Sequence, residues 1–100
     1  MDEQLKRDEQ NKKLSKIYNH FGRDAQIKQL REEVEEFIEA LQSGNMEHAT
    51  EEFADVVVVL SGFGIVEPID DDLFSSTFDY KVDRTDMRID SGYYENEVQK

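Results

Sequence analysis

Apolar positions recur along most of the chain at spacings of three and four, the period of an α-helix rather than the alternation of a strand. In LSKIYNHFG, Leu14, Ile17, Tyr18 and Phe21 fall at i, i+3, i+4 and i+7, which predicts a first helix that Gly22 stops. The run before Leu14 is so polar that this helix is expected to begin late or fray over residues 1–13. A second helix is predicted from Asp24 to about Gln42, its stripe formed by Ile27, Leu30, Val34, Phe37, Ile38 and Leu41. Gly44 then suits a C-cap and Asn45 an N-cap. A third helix starts at Met46, carries Ala49, Phe53, Val56, Val57 and Leu60, and ends near SGFG. The valine run 56–59 favours a strand locally. It continues the stripe begun at Met46, however, so a helix is predicted, and one that is apolar all round at its end should be buried on several sides. Pro68 fits the first turn of a fourth helix and Asp70, Asp71 and Asp72 suit its positive end. Phe74, Phe78, Val82 and Ile89 share a face of that helix, which should end before SGYYENEVQK, and the tail over residues 93–100 is expected to order against a neighbour. The fold class is all-α, a four-helix bundle-like protomer built around an antiparallel helical hairpin, in one domain spanning residues 1–100.

Placing the second and third helices at an offset of nineteen residues superposes their stripes, Ile27 on Met46 through Leu41 on Leu60. The same offset puts Glu33 on Glu52 and Glu36 on Asp55. At ~100° per residue, all four carboxylates lie on one side of their stripes, Glu33 and Glu52 nearest the apolar edge. The short QSGN link makes these helices antiparallel neighbours. Glu33 and Asp55, like Glu36 and Glu52, are then equally far along the chain from Gly44. The two acidic edges face each other or both face outward, according to the hand of the hairpin, which the sequence leaves open. Facing inward, they build a four-carboxylate cluster at the margin of a core. Like charges so close raise one another's pKa. A hard divalent cation such as Mg²⁺, which takes oxygen ligands and keeps places for water and phosphate, relieves the conflict. Solvated acidic faces would produce single pairs of this kind; two in matched register favour the cluster.

Charge sharpens this reading. With 24 acidic and 12 basic residues the net charge is -12, which repels nucleic-acid phosphate, so a phosphorylated ligand would need cations in between. The basic residues Lys81, Arg84 and Arg88, at i, i+3 and i+7 on the fourth helix, fit phosphate contacts, or else surface pairing with Asp79, Asp83 or Asp86. The chain has no cysteine, hence no disulfide framework and no thiol nucleophile, as suits a reducing cytosol. No apolar run approaches the ~20 residues of a membrane span, and the N-terminus has no apolar signal region. A cytoplasmic protein with no membrane and no nucleic-acid partner is expected. In a chain of 100 residues the core is limited, and association would add burial.

Together these residues resemble the MazG-like nucleoside triphosphate pyrophosphohydrolases of the all-α NTP pyrophosphatase superfamily. The family signature is ExxE, a helix-turn-helix interval, then ExxD, and Glu33 to Glu36 and Glu52 to Asp55 stand in those positions. The flanks HFGRDAQIKQLREEVEEFIEAL, EEFADVVVVL and YKVDRTDMRIDSGYY look alike as well, so the resemblance covers about residues 18–94. It implies Mg²⁺-dependent cleavage of (d)NTPs to (d)NMP and pyrophosphate, with Mn²⁺ as a substitute, in house-cleaning or nucleotide-pool control. By position, Glu33, Glu36, Glu52 and Asp55 would be the catalytic metal ligands and Lys81 and Arg84 the phosphate contacts, with Arg88 a further candidate from its place on the same basic stripe. Gln26, on the acidic-side edge two turns before Glu33, is a candidate nucleotide contact, as are Asn19 and His20. Tyr18, Phe21 or a tail tyrosine could stack on a base. Phe37, Phe53, Phe74 and Phe78 sit at core spacings, and His48 reads as structural or solvent-facing. The resemblance also implies a homodimer or homotetramer. The alternatives are a non-enzymatic acidic helical interaction module, and a superfamily relative specific for dUTP or phosphoribosyl-ATP.

Overall fold

The computed structural model describes residues 2–96 and consists of four α-helices, α1 (Glu3–Phe21), α2 (Arg23–Ser43), α3 (Met46–Val66) and α4 (Asp71–Asp90), followed by a 3-10 turn (Tyr93–Asn96). The described residues contain no strand, so the all-α class and the four helices hold. None of the described helices is long and apolar enough to cross a membrane. The chain divides into two compact units, Met1–Ile69 and Asp70–Lys100.

In the first unit, α1 begins at Glu3 rather than near Leu14. The Asp2 side chain accepts a hydrogen bond from the Gln4 amide at 2.8 Å and caps the helix, and Gln4 Nε2 donates to Asp8 Oδ1 at 2.9 Å. Residues 2–13 are all exposed. They are helical by capping and by the propensity of their long unbranched side chains, with no apolar face to bury.

The turn between α2 and α3 forms as its residues predict. Gly44 adopts φ 80°, the left-handed conformation a helix C-cap needs, and Asn45 Oδ1 accepts from the His48 amide at 3.0 Å. The two helices fold back on each other. Their shared seam runs through Gln26, Glu33 and Ala40, all buried, with half-buried Leu30 and Phe37 between them, against buried Ala49, Glu52 and Val59 and half-buried Val56 and Phe63. This is heptad-like spacing, displaced from the apolar stripe toward its acidic edge. The hand of the hairpin is thereby settled: the acidic edges face inward. Phe37 and Phe53 still meet, ring centroids 5.6 Å apart, but at the margin of the seam. The other side of the stripe, Ile38, Leu41, Met46, Phe53, Val57 and Leu60, is exposed. The valine run is helical throughout, yet only Val59 is buried, so the expected burial on several sides is not met within the chain.

In the second unit, α4 starts after Pro68, not at it. Asp70 is the N-cap, its carboxylate accepting from the Leu73 amide at 2.9 Å, and Asp71 and Asp72 occupy the first turn. A capping aspartate offers the first-turn amides an acceptor that proline does not. Phe74 and Phe78 contact each other at 5.9 Å, and no residue of α4 is buried. The described part of the tail folds on its own unit: Tyr93 and Tyr94 meet edge to face at 5.0 Å, and the Arg88 guanidinium lies 4.5 Å from the Tyr93 ring centre. Residues 97–100 of the expected tail lie outside the described residues.

Candidate functional site

The inward acidic edges bring Glu33, Glu36 and Glu52 together, each offering a carboxylate oxygen within 4.8 Å of the others. Glu33 and Glu52 are 9 % and 8 % exposed, whereas Glu36 faces solvent. Asp55 stands outside this triad but lines the same cavity as Glu33. The spacing explains the arrangement. Glu33 and Glu52 occupy seam positions of facing helices, and Glu36, one turn on from Glu33, reaches Glu52 from the rim.

The neighbours hold the triad without neutralising it. Gln29, one turn before Glu33, donates its side-chain amide to Glu33 Oε1. His48 stands over Glu52, with Nε2 3.8 Å from Oε1, while its Nδ1 lies 3.6 Å from Glu51. Glu33 Oε2 and Glu52 Oε2 are buried with no hydrogen-bond partner. Burial first, then hydrogen bonds to Glu36 and Glu33 that only a protonated carboxyl can donate, then their like charge, push the Glu52 carboxyl up to about 7. Ionised, Glu52 leaves a buried oxygen with no donor, which is costly unless a cation meets it. An all-carboxylate set with two orphaned buried oxygens suits a hard divalent cation such as Mg²⁺.

Beside the triad opens a cavity of about 340 Å³. Ile17 and Phe21 from α1 and Val58 and Val59 from α3 supply apolar wall, and Gln26, Gln29, Glu33 and Asp55 supply the polar side. Gln26 is 5 % exposed and none of the side-chain hydrogen bonds of the described residues involves it, so its amide is available to whatever enters. The other expected nucleotide contacts fall elsewhere. Asn19 is exposed and donates to Ser15 Oγ at 3.3 Å; His20 is exposed and packs edge to face on Phe21. Tyr18 cannot stack on a ligand, being 3 % exposed and hydrogen-bonded to Glu67, whereas Phe21 is open on the cavity wall.

The basic stripe of α4 is divided. Arg84 and Arg88 line one cavity of about 370 Å³ with Tyr80, Asp83, Met87 and Ser91, and Lys81 lines another with Phe78 and Val82. The Arg84 guanidinium lies 5.4 Å from the Tyr80 ring centre, and its Nε is buried without a partner. Among the described residues none of the three basic groups pairs with Asp79, Asp83 or Asp86.

Sequence reasoning passed over Gln29 and gave His48 no contact with Glu52, although both stand one turn from a carboxylate already singled out. It also missed Arg23 and Glu67, which are joined by tertiary contact and carry no local signal.

Residues 21–66 match the family model of the MazG nucleotide pyrophosphohydrolase domain. That segment contains both acidic pairs, the turn between them and Gln26. No curated protein and no solved structure matches the chain.

Proposed function

We propose that the chain, whose residues 21–66 match the MazG nucleotide pyrophosphohydrolase domain, hydrolyses (d)NTPs to (d)NMP and pyrophosphate with Mg²⁺ as cofactor. The observation that carries this reading is the triad of Glu33, Glu36 and Glu52, with two buried carboxylate oxygens that lack donors, inside the matched segment. Glu33, Glu36 and Glu52, joined by Asp55 from the cavity wall, would hold the cation. Bound there, it supplies neutralisation of triphosphate charge and a more acidic water nucleophile.

The chain's own groups do the rest. Gln29 and His48 keep the two buried carboxylates aimed. A carboxylate not engaged with the cation takes the proton as water attacks the α-phosphorus and the bond to the β-phosphate breaks. Gln26 and the Phe21 wall give the nucleoside portion a largely apolar place beside the triad, with one amide that can both donate and accept. The exposed apolar side of α2 and α3 supports assembly into a homo-oligomer.

The test is to incubate the purified protein with a panel of (d)NTPs, with Mg²⁺ or with EDTA, and to separate the products by chromatography. Monophosphate and pyrophosphate in equal amounts, formed only with Mg²⁺, is the expected result. No turnover across the panel, with no Mg²⁺-induced rise in melting temperature, would turn the reading toward an acidic interaction module.

A further inference from the structure

Tyr18 is the one buried residue of α1 among the described residues. Its ring meets Phe63 edge to face, centroids 5.2 Å apart, and lies so close to Gly62 that a Cβ there would stand 3.3 Å from Tyr18 Cδ2. The last turn of α1 is thus seated closely on α3. The Tyr18 hydroxyl donates to Glu67 Oε2, and Arg23 Nε stands 3.3 Å from the same oxygen. Glu67 is the C-cap of α3. One carboxylate therefore gathers a side chain from the end of α1 and another from the start of α2, and nothing in the proposed reaction uses it.

The position of this junction matters because of its neighbours in sequence. Ile17 precedes Tyr18 and Phe21 lies one turn after it, and both line the cavity that also holds Gln26, Glu33 and Asp55. On a helix these side chains move with Tyr18 as one rigid turn, so a loosened Tyr18 lets the wall rotate or withdraw. The triad is built on α2 and α3 alone and does not depend on that wall.

We propose that Glu67 is a positioning residue: through Tyr18, with Arg23 completing the junction, it holds the Ile17 and Phe21 wall of the cavity and so sets affinity for the organic part of the ligand rather than the rate of bond cleavage. The first half rests on geometry alone, and the second on the nucleotide reading above.

The test compares Glu67→Ala, Tyr18→Phe and Glu67→Gln in the full chain by amide hydrogen exchange without nucleotide, and by steady-state kinetics on the best (d)NTP. Circular dichroism checks that each variant is folded. Exchange over residues 14–22 should quicken about 10-fold in the Ala and Phe variants and return most of the way in Glu67→Gln, which keeps an acceptor for the hydroxyl. KM should rise about 5-fold or more in the first two variants while kcat changes less than about twofold, the pattern of lost uniform binding. Unchanged exchange over residues 14–22 overturns the junction. Faster exchange with an unchanged KM, or a fall in kcat at constant KM, overturns its link to the cavity. A wild type that turns over no nucleotide removes the affinity claim together with the reading it rests on, whereas exchange still decides the junction.

Discussion

Glu52 faces two opposed demands. Without a cation it is best protonated, because burial and the neighbouring Glu36 and Glu33 hold its carboxyl up to about 7. A folded value above the ordinary 4.5 means that the stability linked to this proton is fully present below about 4.5 and is lost as pH rises through about 7. In EDTA, the melting temperature of the wild type should therefore fall between pH 5 and pH 8, and Glu52→Gln should remove much of that fall; a melting series across pH checks both. Cation binding runs the other way, since the ligand must be ionised. The rise in melting temperature on adding Mg²⁺ should grow as pH passes about 7, and Glu52→Gln should abolish it and lower turnover at least about 100-fold. Unchanged Mg²⁺-dependent turnover in that variant would remove Glu52 from the metal set. The carboxylates themselves were legible in the sequence, because i, i+3 pairs in matched register leave a trace that chance seldom imitates. Their grouping was not: Asp55 falls outside the triad and Gln29 and His48 join its surroundings, which depends on how two helices face each other rather than on either alone.

At the level of the elements, the Gly44–Asn45 turn fixes how α2 and α3 face each other. Both residues could be read directly, since each answers a local backbone need. A Cβ on Gly44 would meet nothing within 4 Å, so the cost of Gly44→Ala is conformational alone, about 1 kcal/mol for an alanine held at positive φ. Asn45→Ala should cost a similar ~1 kcal/mol through the lost cap on the His48 amide. Urea denaturation of each variant measures these changes; a neutral result for both would mean that packing alone holds the turn. The seam was less legible, for a physical reason. An apolar stripe locates a helix interface by its hydrophobic centre, but here Gln26, Glu33 and Glu52 occupy interface positions. The seam is therefore displaced toward the acidic edge, and the pattern looks offset from the burial. The start of α1 misled in the opposite sense, since residues 2–13 are helical with nothing to bury and apolar periodicity is silent about such a segment.

That displacement has a consequence for the whole molecule. Turning the carboxylates inward turns Ile38 and Leu41 of α2 and Met46, Phe53, Val57 and Leu60 of α3 outward. Phe53 is 55 % exposed, and the whole of α4 is without a buried residue. Solitary exposed apolar side chains are ordinary, but a contiguous face of large ones is the mark of an interaction surface. A chain of 100 residues with only four buried apolar side chains among the described residues has little internal core, and association with another copy would add burial. Sedimentation of the wild type should accordingly give a multiple of the chain mass, and its melting temperature should rise with protein concentration. Phe53→Lys combined with Leu60→Lys places two charges on that face while leaving Glu33, Glu36 and Glu52 untouched. It should shift the protein toward monomer and remove the concentration dependence. A wild type that sediments as a monomer and melts at one temperature across a hundredfold concentration range would mean that this face does not join copies of the chain. The inward turn of the acidic edges would then have exposed apolar surface with no gain in burial from assembly.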